Sequence, residues 1–523
     1  MDTHFQPTDL AYIITGLLFA GTAFAVFLRG KARLALWLLT GGGLILRLCM
    51  AFIDPYINLW DEQFHALVAK NMMEHPFHPM LYAHPVLPIH EQIWTGGSTW
   101  LHKPPLFLWQ IALFMKIFGA KYWVVRLPSV LLTTLAIPAV FRMGKILSGE
   151  RCGFFAATIF AVVNLQVNIV SGFINTDHND IIFMCYVLFS LWAWMEHMET
   201  PNLKWILLVG LFSGAAILVK WLPGLLVYLV WMFALLLNKE ERFVLKKWME
   251  LLAASVLTFI VAAPWFIYAS VKWPSLSMHE SDARIKHLSN VVEDHHGPWY
   301  FHFELLKEDY GWWMAVLLPL CLILFFLRKE KQPVRLAIGA AIIFVYAFYT
   351  CVPTRMPLFC LFVSPLLYLV LADVISNAGN YFKKQEGLQS NKIFRAARMF
   401  FAAFFIFFIF DIGRIEHFHT DRNKGNFYRP ARIENKKQFE SAAATLSSKD
   451  IVIFNCGGYA NGVACMFYTG HTSYDHVPDE QQLHYLKSQG IKMAVFDDIP
   501  LPGYISGDSS VIKLHFPLVR NGF

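Results

Sequence analysis

Ionisable side chains at the ends of long apolar runs are the residues of this sequence best suited to chemistry. An ionisable group at mid-bilayer costs about 2.5–3.5 kcal/mol on insertion scales, so acids and bases beside apolar runs are placed selectively. Two acidic pairs have this placement, Asp61 with Glu62 and Asp177 with Asp180. A carboxylate can take the proton of an attacking hydroxyl or amine. We therefore predict that the catalytic groups are among these four.

Basic residues lie beside the same chain segments. Lys103 precedes two prolines, Lys220 ends an apolar run, and Arg355 lies between two more prolines. Lys and Arg can bind a phosphate and stabilise the charge that grows on it as it leaves. Each residue alone has a plainer interpretation, such as a helix cap, a solvated charge or a lysine that extends to the membrane interface. The grouping of these acidic and basic residues on one side of the membrane favours an active site that binds a phosphate.

Membrane-spanning helices must position these residues. The chain has 523 residues, of which 56% are hydrophobic and 15% are charged, and a soluble protein of this length would need more charge. Windows of about 19 residues predict about twelve spans. The predicted spans lie near residues 10–28, 34–53, 122–141, 152–171, 180–196, 204–219, 221–238, 249–271, 312–327, 333–351, 355–374 and 396–413.

Clusters of Lys and Arg predict the orientation of these spans. The clusters alternate with loops that are poor in Lys and Arg, which is the topology signal of membrane proteins. They lie at residues 29–33, 142–151, 239–247, 328–335 and 383–398. The net charge of +7 therefore reflects topology and not nucleic-acid binding. We predict a multi-pass protein of the cell membrane whose acidic loops and two termini lie outside the cytoplasm.

Two long outer segments separate the spans of the predicted transmembrane module, residues 1–413. The segment 54–121 is too polar to cross the membrane, yet it contains Trp60, Trp94 and Trp100 among its charges. Such a mixture predicts helices that lie along the membrane interface. The second long segment covers residues 272–311.

Residues 414–523 have the pattern of a small extracytoplasmic α/β domain. The segments 450–456 and 492–497 resemble buried strands, and 479–489 resembles a helix between them. Its expected role is acceptor docking or partner contact. Cys456 and Cys465 lie in this segment and could form a disulfide or remain free thiols. The eight cysteines have no spacing typical of a metal site.

Short motifs occur in the same order as in a known family. They are Asp61-Glu62 after an early span, His102-Lys-Pro-Pro-Leu, Arg126-Leu-Pro-Ser, Gly214 to Lys220, His295-His-Gly-Pro-Trp-Tyr, and Arg355-Met-Pro-Leu-Phe followed by Pro365. Their residues and order resemble the C-type (GT-C) glycosyltransferases. Within that class the chain is similar to the protein O-mannosyltransferase and aminoarabinose-transferase group.

The resemblance implies a polytopic, helical GT-C fold and transfer of a sugar from a polyprenyl or dolichyl phosphate with inversion. Asp61 matches the expected catalytic carboxylate. The resemblance implies that Lys103, Lys220, Arg126 and Arg355 lie on the side of the donor phosphate. The acceptor would be a lipid, a glycan or a protein of the cell envelope.

Histidines provide a further hypothesis about a divalent metal. His102 occupies a position where aminoarabinose transferases commonly have an acid, and members with that acid can pair it with a loop histidine to hold a metal. Here His102 with His295 or His296 could supply two imidazole ligands, which zinc accepts. Alternatively, these histidines bond loop carbonyls or lie near the lipid phosphate.

Two other function classes compete with a glycosyltransferase. A transporter or lipid flippase with an acidic relay predicts charges near the bilayer midplane and helices broken in two repeated halves. A non-catalytic envelope assembly protein would use the C-terminal segment as its interaction module. An oligosaccharyltransferase is disfavoured because Trp312-Trp313 is followed by Met314 and not by Asp.

Overall fold

Long apolar helices form most of the structure, as the hydropathy pattern predicts. The computed structural model describes residues 5–174, 177–383, 406, 409–413, 415, 429–448 and 450–520. The helices up to residue 383 are α1 (Pro7–Leu28), α2 (Ala32–Phe52), α3 (Asp61–Met72), α4 (Leu106–Phe118), α5 (Tyr122–Ser148), α6 (Glu150–Val162), α7 (Asn164–Asn168), α8 (Asp177–Glu199), α9 (Leu203–Lys220), α10 (Leu226–Leu237), α11 (Leu245–Lys272), α12 (Pro274–Ser289), α13 (Phe301–Tyr310), α14 (Trp312–Leu327), α15 (Gln332–Cys351) and α16 (Ser364–Lys383).

Seven of the described helices are long and apolar enough to cross a membrane, and nine spans result if each of two bent pairs counts as one. The chain is therefore an integral membrane protein. The predicted spans at 221–238 and 355–374 correspond to shorter apolar helices, Leu222–Leu237 and Leu361–Asn377. The span predicted at 396–413 lies largely outside the described residues. The total of twelve thus stays a prediction.

Two breaks bend the helical framework. Helices α6 and α7 meet at an angle of 53°, and α13 and α14 meet at 116°. The buried guanidinium of Arg47 lies at the first break and donates to the carbonyls of Phe160 and Ala161, each at 3.0 Å. These carbonyls lie in the last turn of α6, where the intrahelical hydrogen bonds run out. Arg47 therefore caps a helix that ends inside the protein.

Helices α5 and α6 form a hairpin with very close backbone contact. A side-chain carbon at Gly153 would lie 2.3 Å from the carbonyl oxygen of Phe141, and one at Gly144 would lie 2.7 Å from the Cα of Gly153. Small residues allow helices to approach in this way in membranes. This hairpin packs against α2, α8 and α16 at the centre of the helical framework.

The described part of the C-terminal segment contains a parallel three-stranded sheet. Its strands are β1 (Val452–Phe454), β2 (Met493–Phe496) and β3 (Val511–Leu514), in the order β1-β2-β3. In register, Val452 pairs with Met493, and Met493 pairs with Val511. The accompanying helices are α17 (Arg429–Thr445), α18 (Tyr459–Thr469), α19 (Glu480–Ser488) and α20 (Gly503–Ser506).

The strands β1 and β2 and helix α19 lie within the segments predicted for them. Cys456 and Cys465 are both buried, and both are free thiols. Whether residues 414–523 form a domain of their own stays a prediction, because the sheet and its helices also bond extensively to the segment after α2.

Candidate active site

A cavity of about 820 Å³ lies where several charged helix ends meet. Its polar wall combines the start of α3, the loop before α4, the end of α9, and α12. Charged and histidine side chains on this wall are Asp61, His102, Lys103, Lys220, Glu280, Arg284, His287, Glu293 and His295. The predicted residues Asp61, Lys103, Lys220, His102 and His295 are thus brought together from segments up to 234 positions apart.

Asp61 is the first residue of α3 and lines the cavity. The partial positive charge at a helix N-terminus favours a carboxylate in this position. The preceding residue, Trp60, also lines the cavity and has φ 60° and ψ −123°. Such a backbone conformation costs a non-glycine residue on the order of 1–3 kcal/mol and persists only where the surroundings hold it. The chain is therefore held in an unfavourable conformation immediately before the carboxylate.

Glu62 is fully buried in a network of its own. Its carboxylate accepts two bonds from Arg126, at 2.7 and 3.0 Å, and lies 3.0 Å from Nε2 of His178. Burial acts to raise the pKa of Glu62, but Arg126 and His178 outweigh it and lower the pKa to about 2. These bonds favour a structural role for Glu62 over a catalytic one, and its predicted catalytic role stays a prediction.

Arg126 has a structural role. Besides Glu62, its guanidinium donates to the carbonyls of Ala51, Asp54 and Tyr56 at 2.7–2.8 Å. These bonds occupy its five N–H donors, and the side chain is fully buried. These bonds favour a structural role for Arg126 over a contact with a donor phosphate, and that contact stays a prediction.

Asp180 and Lys220 form an ion pair at the cavity wall. Asp180 is buried, whereas Lys220 lines the cavity and its Nζ lies 5.2 Å from the centre of the Phe359 ring. Asp180 thus orients Lys220 and does not itself face the cavity. The side chain of Asp177 lies outside the described residues, so its predicted catalytic role stays untested.

Asn179 is a cavity residue that the sequence did not reveal. Its side-chain nitrogen donates to the carbonyl of Val219 at 2.8 Å. Its Oδ1 is buried without a hydrogen-bond partner at the cavity wall. A buried acceptor without a partner is costly, so this oxygen is suited to bind a substrate hydroxyl. In the sequence, an asparagine close to two acids looks the same whether it caps a helix or lines a cavity.

His102 is bound on several sides. Its ring stacks on Trp94 with centroids 4.7 Å apart, and its Nδ1 lies 3.4 Å from Glu280. Burial and the neighbouring Lys103 lower the pKa of His102, and Glu280 partly offsets them. Trp94 in turn donates to Glu293 at 2.8 Å. Helix α12, which carries Glu280, thereby closes one side of the cavity.

The remaining predicted residues lie less centrally. His296 is largely exposed and bonds Asp294. Arg355 donates to the backbone carbonyls of Tyr349 and Val352 and does not line the cavity. Its predicted contact with the donor phosphate stays a prediction. Across the described residues, no group of three or more His, Cys, Asp or Glu could hold a metal ion.

An apolar branch extends the cavity between α10 and α15. Leu226 and Leu229 line it from α10, and Phe344 and Phe348 line it from α15. Phe344 and Phe348 are 52% and 40% exposed, as is typical of side chains on a lipid-facing surface. The branch therefore joins the charged wall to the apolar exterior of the helices.

Comparison with known proteins agrees with this architecture. The family of dolichyl-phosphate-mannose-protein mannosyltransferases matches residues 102–268, the region that contains Lys103 and Lys220. A curated relative from Pseudomonas aeruginosa, an undecaprenyl phosphate-alpha-4-amino-4-deoxy-L-arabinose arabinosyl transferase, is 26% identical over 46% of this chain and 43% of its own length. The chain thus matches less than half the length of that relative.

Solved structures extend the similarity to almost the whole fold. The apo structure of ArnT from Cupriavidus metallidurans matches 87% of both chains with a TM-score of 0.62 and 16% identity. The same protein bound to undecaprenyl phosphate matches with a TM-score of 0.59 and 14% identity. The resemblance to the mannosyltransferase and aminoarabinose-transferase group of GT-C glycosyltransferases is confirmed. At this level of identity, the likeness to the two solved structures is one of fold.

Proposed function

We propose that this chain is a membrane glycosyltransferase that moves a sugar from a polyprenyl-phosphate donor to an acceptor in the cell envelope. The observation that carries the proposal is the single cavity in which Asp61 lies with Lys103 and Lys220 beside an apolar branch. A lipid-phosphate donor has matching parts, because its isoprenoid tail is apolar and its phosphate is anionic. The undecaprenyl phosphate named for the ArnT structure supports this choice of donor.

Asp61 acts as the general base of a single displacement. The acceptor oxygen or nitrogen forms a bond to the anomeric carbon while the bond from that carbon to the phosphate oxygen breaks. The acceptor proton passes to Asp61, and the electron pair of the broken bond stays on the departing phosphate. Lys103 and Lys220 offset the charge that grows there. Attack from the face opposite the phosphate inverts the anomeric centre.

The transfer takes place outside the cytoplasm in this proposal. Within the described residues, the basic clusters at 29–33, 142–151, 239–247 and 328–335 lie at helix ends away from the residues that line the cavity, and basic loops favour the cytoplasm. The acceptor is an envelope lipid, a glycan or a protein. A relay transporter is less well supported, because its acids should lie near the bilayer midplane, whereas Asp61 lies at a helix end.

Replacement of the base tests the proposal. In Asp61→Asn, transfer from polyprenyl-phosphate sugars should fall roughly 10²–10⁴-fold, while the affinity for the donor stays near that of the wild type. Glu293→Gln is the matched control, because it neutralises another cavity carboxylate, one that bonds Trp94. Mass spectrometry of envelope lipids, glycans and glycoproteins with and without the protein identifies the acceptor. A fully active Asp61→Asn alongside an inactive Asp177→Asn would move the base to the second acidic loop.

A further inference from the structure

The segment that leads to Asp61 is held in place by distant side chains. Residues 53–60 form neither helix nor strand. Arg126 binds three carbonyls between residues 51 and 56, as described above, and the N–H of Asn58 donates to Glu62 at 2.5 Å. Irregular buried backbone must find such partners, because an unpaired polar group is costly. These bonds fix one side of the segment from within the helical framework.

The C-terminal segment supplies the bonds on the other side. The hydroxyl of Tyr468 accepts the N–H of Ile57 at 2.9 Å. Lys436 donates to the carbonyl of Pro55 at 2.9 Å, and Arg429 donates to that of Ile53 at 2.8 Å. Three residues from α17 and α18 thus bind three backbone groups within the eight residues before Asp61.

The end of helix α18 also holds the far end of α3. Nζ of Lys70, in the last turn of α3, donates to the carbonyl of Phe467 at 2.5 Å. The last carbonyls of a helix lack intrahelical partners and carry a partial negative charge, so a lysine is favourable there. Consecutive residues of α18, Phe467 and Tyr468, therefore hold α3 at its end and at its approach.

We infer that Tyr468 is a positioning residue for Asp61 and that the C-terminal segment is part of the active-site scaffold. This inference rests on the proposed function, in which Asp61 is the base. It replaces the expectation that residues 414–523 act as a separate module for acceptor docking. Trp60 gives the physical reason, since its unfavourable backbone conformation relaxes unless both sides of the segment are held. A displacement of about 1 Å at a reacting group can cost about 10²-fold in rate.

Two tyrosine variants of the full-length protein test the inference. Tyr468→Phe removes the hydroxyl near Asp61, whereas Tyr474→Phe removes one that accepts the N–H groups of Val86 and Leu87, each at 3.1 Å. Both hydroxyls join the C-terminal segment to the first outer segment. We expect kcat to fall roughly 10–100-fold in Tyr468→Phe, with KM for the donor within about twofold. We expect kcat of Tyr474→Phe to stay within about threefold of the wild type. We expect its thermal unfolding midpoint to fall at least as far below that of the wild type as the midpoint of Tyr468→Phe does.

A double variant decides whether Tyr468 acts through Asp61. If it does, Tyr468→Phe should not lower the residual rate of Asp61→Asn any further, because groups that act as a unit are not additive. Equal losses of kcat in the two tyrosine variants, additive losses with Asp61→Asn, or no loss in Tyr468→Phe would each overturn the inference. If Tyr468→Phe does not fold, Lys436→Met removes the bond to Pro55 and is judged by the same criteria. A fully active Asp61→Asn, in contrast, would refute the assignment of Asp61 as the base, and the absence of any transfer by the wild type would refute the proposed function itself.

Discussion

At the scale of single residues, two adjacent carboxylates have opposite surroundings. Asp61 lines the cavity, whereas Glu62 is buried among Arg126, His178 and the backbone. Sequence reasoning identified both acids and ranked Asp61 first. The resemblance assigned Arg126 to the donor phosphate and gave no sign of its pairing with Glu62, because that partner lies 64 positions away and a buried ion pair has no local pattern. Residue type and helix-end placement predict which groups cluster, and only the fold separates binding groups from structural ones.

The pH dependence of stability should reveal the role of Glu62. Its pKa is lowered from 4.5 to about 2 in the folded protein, so its contribution is complete above the unfolded value and disappears as pH falls through this window. We expect the thermal unfolding midpoint of the wild type to fall between about pH 4.5 and 2. Glu62→Gln should be less stable at neutral pH and should have a flatter profile in that window. Glu293→Gln, the control, should keep the wild-type slope; the same slope in Glu62→Gln would contradict the assignment.

The pair of Asp180 and Lys220 should respond to changes of charge as a unit. Lys220→Met removes the lysine that neutralises a buried carboxylate, which should cost about 1–3 kcal/mol of the free energy of unfolding. The combined change Asp180→Asn with Lys220→Met should recover much of that stability, because no buried charge is left unpaired. Its activity should stay low, since the proposed function assigns Lys220 to the donor phosphate. Denaturation and transfer assays on the three variants measure both effects, and recovery of activity in the double variant would exclude a donor role for Lys220.

At the scale of secondary structure, hydropathy predicted helices but not their breaks. A window of about 19 residues averages over the junction of α6 and α7, so the 53° bend has no signal. At the bend, Arg47 bonds the carbonyls of Phe160 and Ala161, which lie more than 110 positions away in the chain. The strands β1 and β2 were predictable because each is a short apolar run between polar residues. Local patterns thus predict elements, and long-range contacts determine where they bend.

The close contact between α5 and α6 makes a prediction about stability. Gly153→Ala places a methyl carbon 2.3 Å from the carbonyl oxygen of Phe141, so the two helices must separate. We expect a loss of about 1–3 kcal/mol, seen as a lower thermal unfolding midpoint in one detergent. Gly21→Ala is the matched control, because no atom within 4 Å would meet its new carbon. Equal midpoints for the two variants would mean that the hairpin adapts without cost.

At the scale of the whole molecule, the orientation of the chain in the membrane is a prediction separate from its fold. The basic clusters predict that the cavity and both termini lie outside the cytoplasm. Topology reporters fused after Gly30, Lys239 and Phe523 should indicate cytoplasm, cytoplasm and exterior, respectively. A cytoplasmic C-terminus would place the cavity on the cytoplasmic side and exclude an extracytoplasmic acceptor.

The joining of the C-terminal segment to residues 53–87 was beyond sequence reasoning. The strands and the helix were visible as local patterns, but the bonds of Tyr468 and Tyr474 connect residues 411 and 387 positions apart. The last predicted apolar run ends near residue 414, so composition places a domain boundary there. The contacts instead link that segment to the approach to Asp61, so a boundary in composition need not be a boundary in function.

If the proposed donor is correct, the apolar branch between α10 and α15 determines how that donor arrives. Its exposed phenylalanines open toward lipid, so a carrier can enter by lateral diffusion within one leaflet without passing through water. Encounter then depends on the number of carriers per unit of membrane area and not on their amount per volume of buffer. At a fixed total quantity of enzyme and donor, added inert phospholipid should slow transfer in proportion to the surface dilution. Competition among enzymes for this donor would likewise depend on how many copies of each enzyme are present per unit of membrane area.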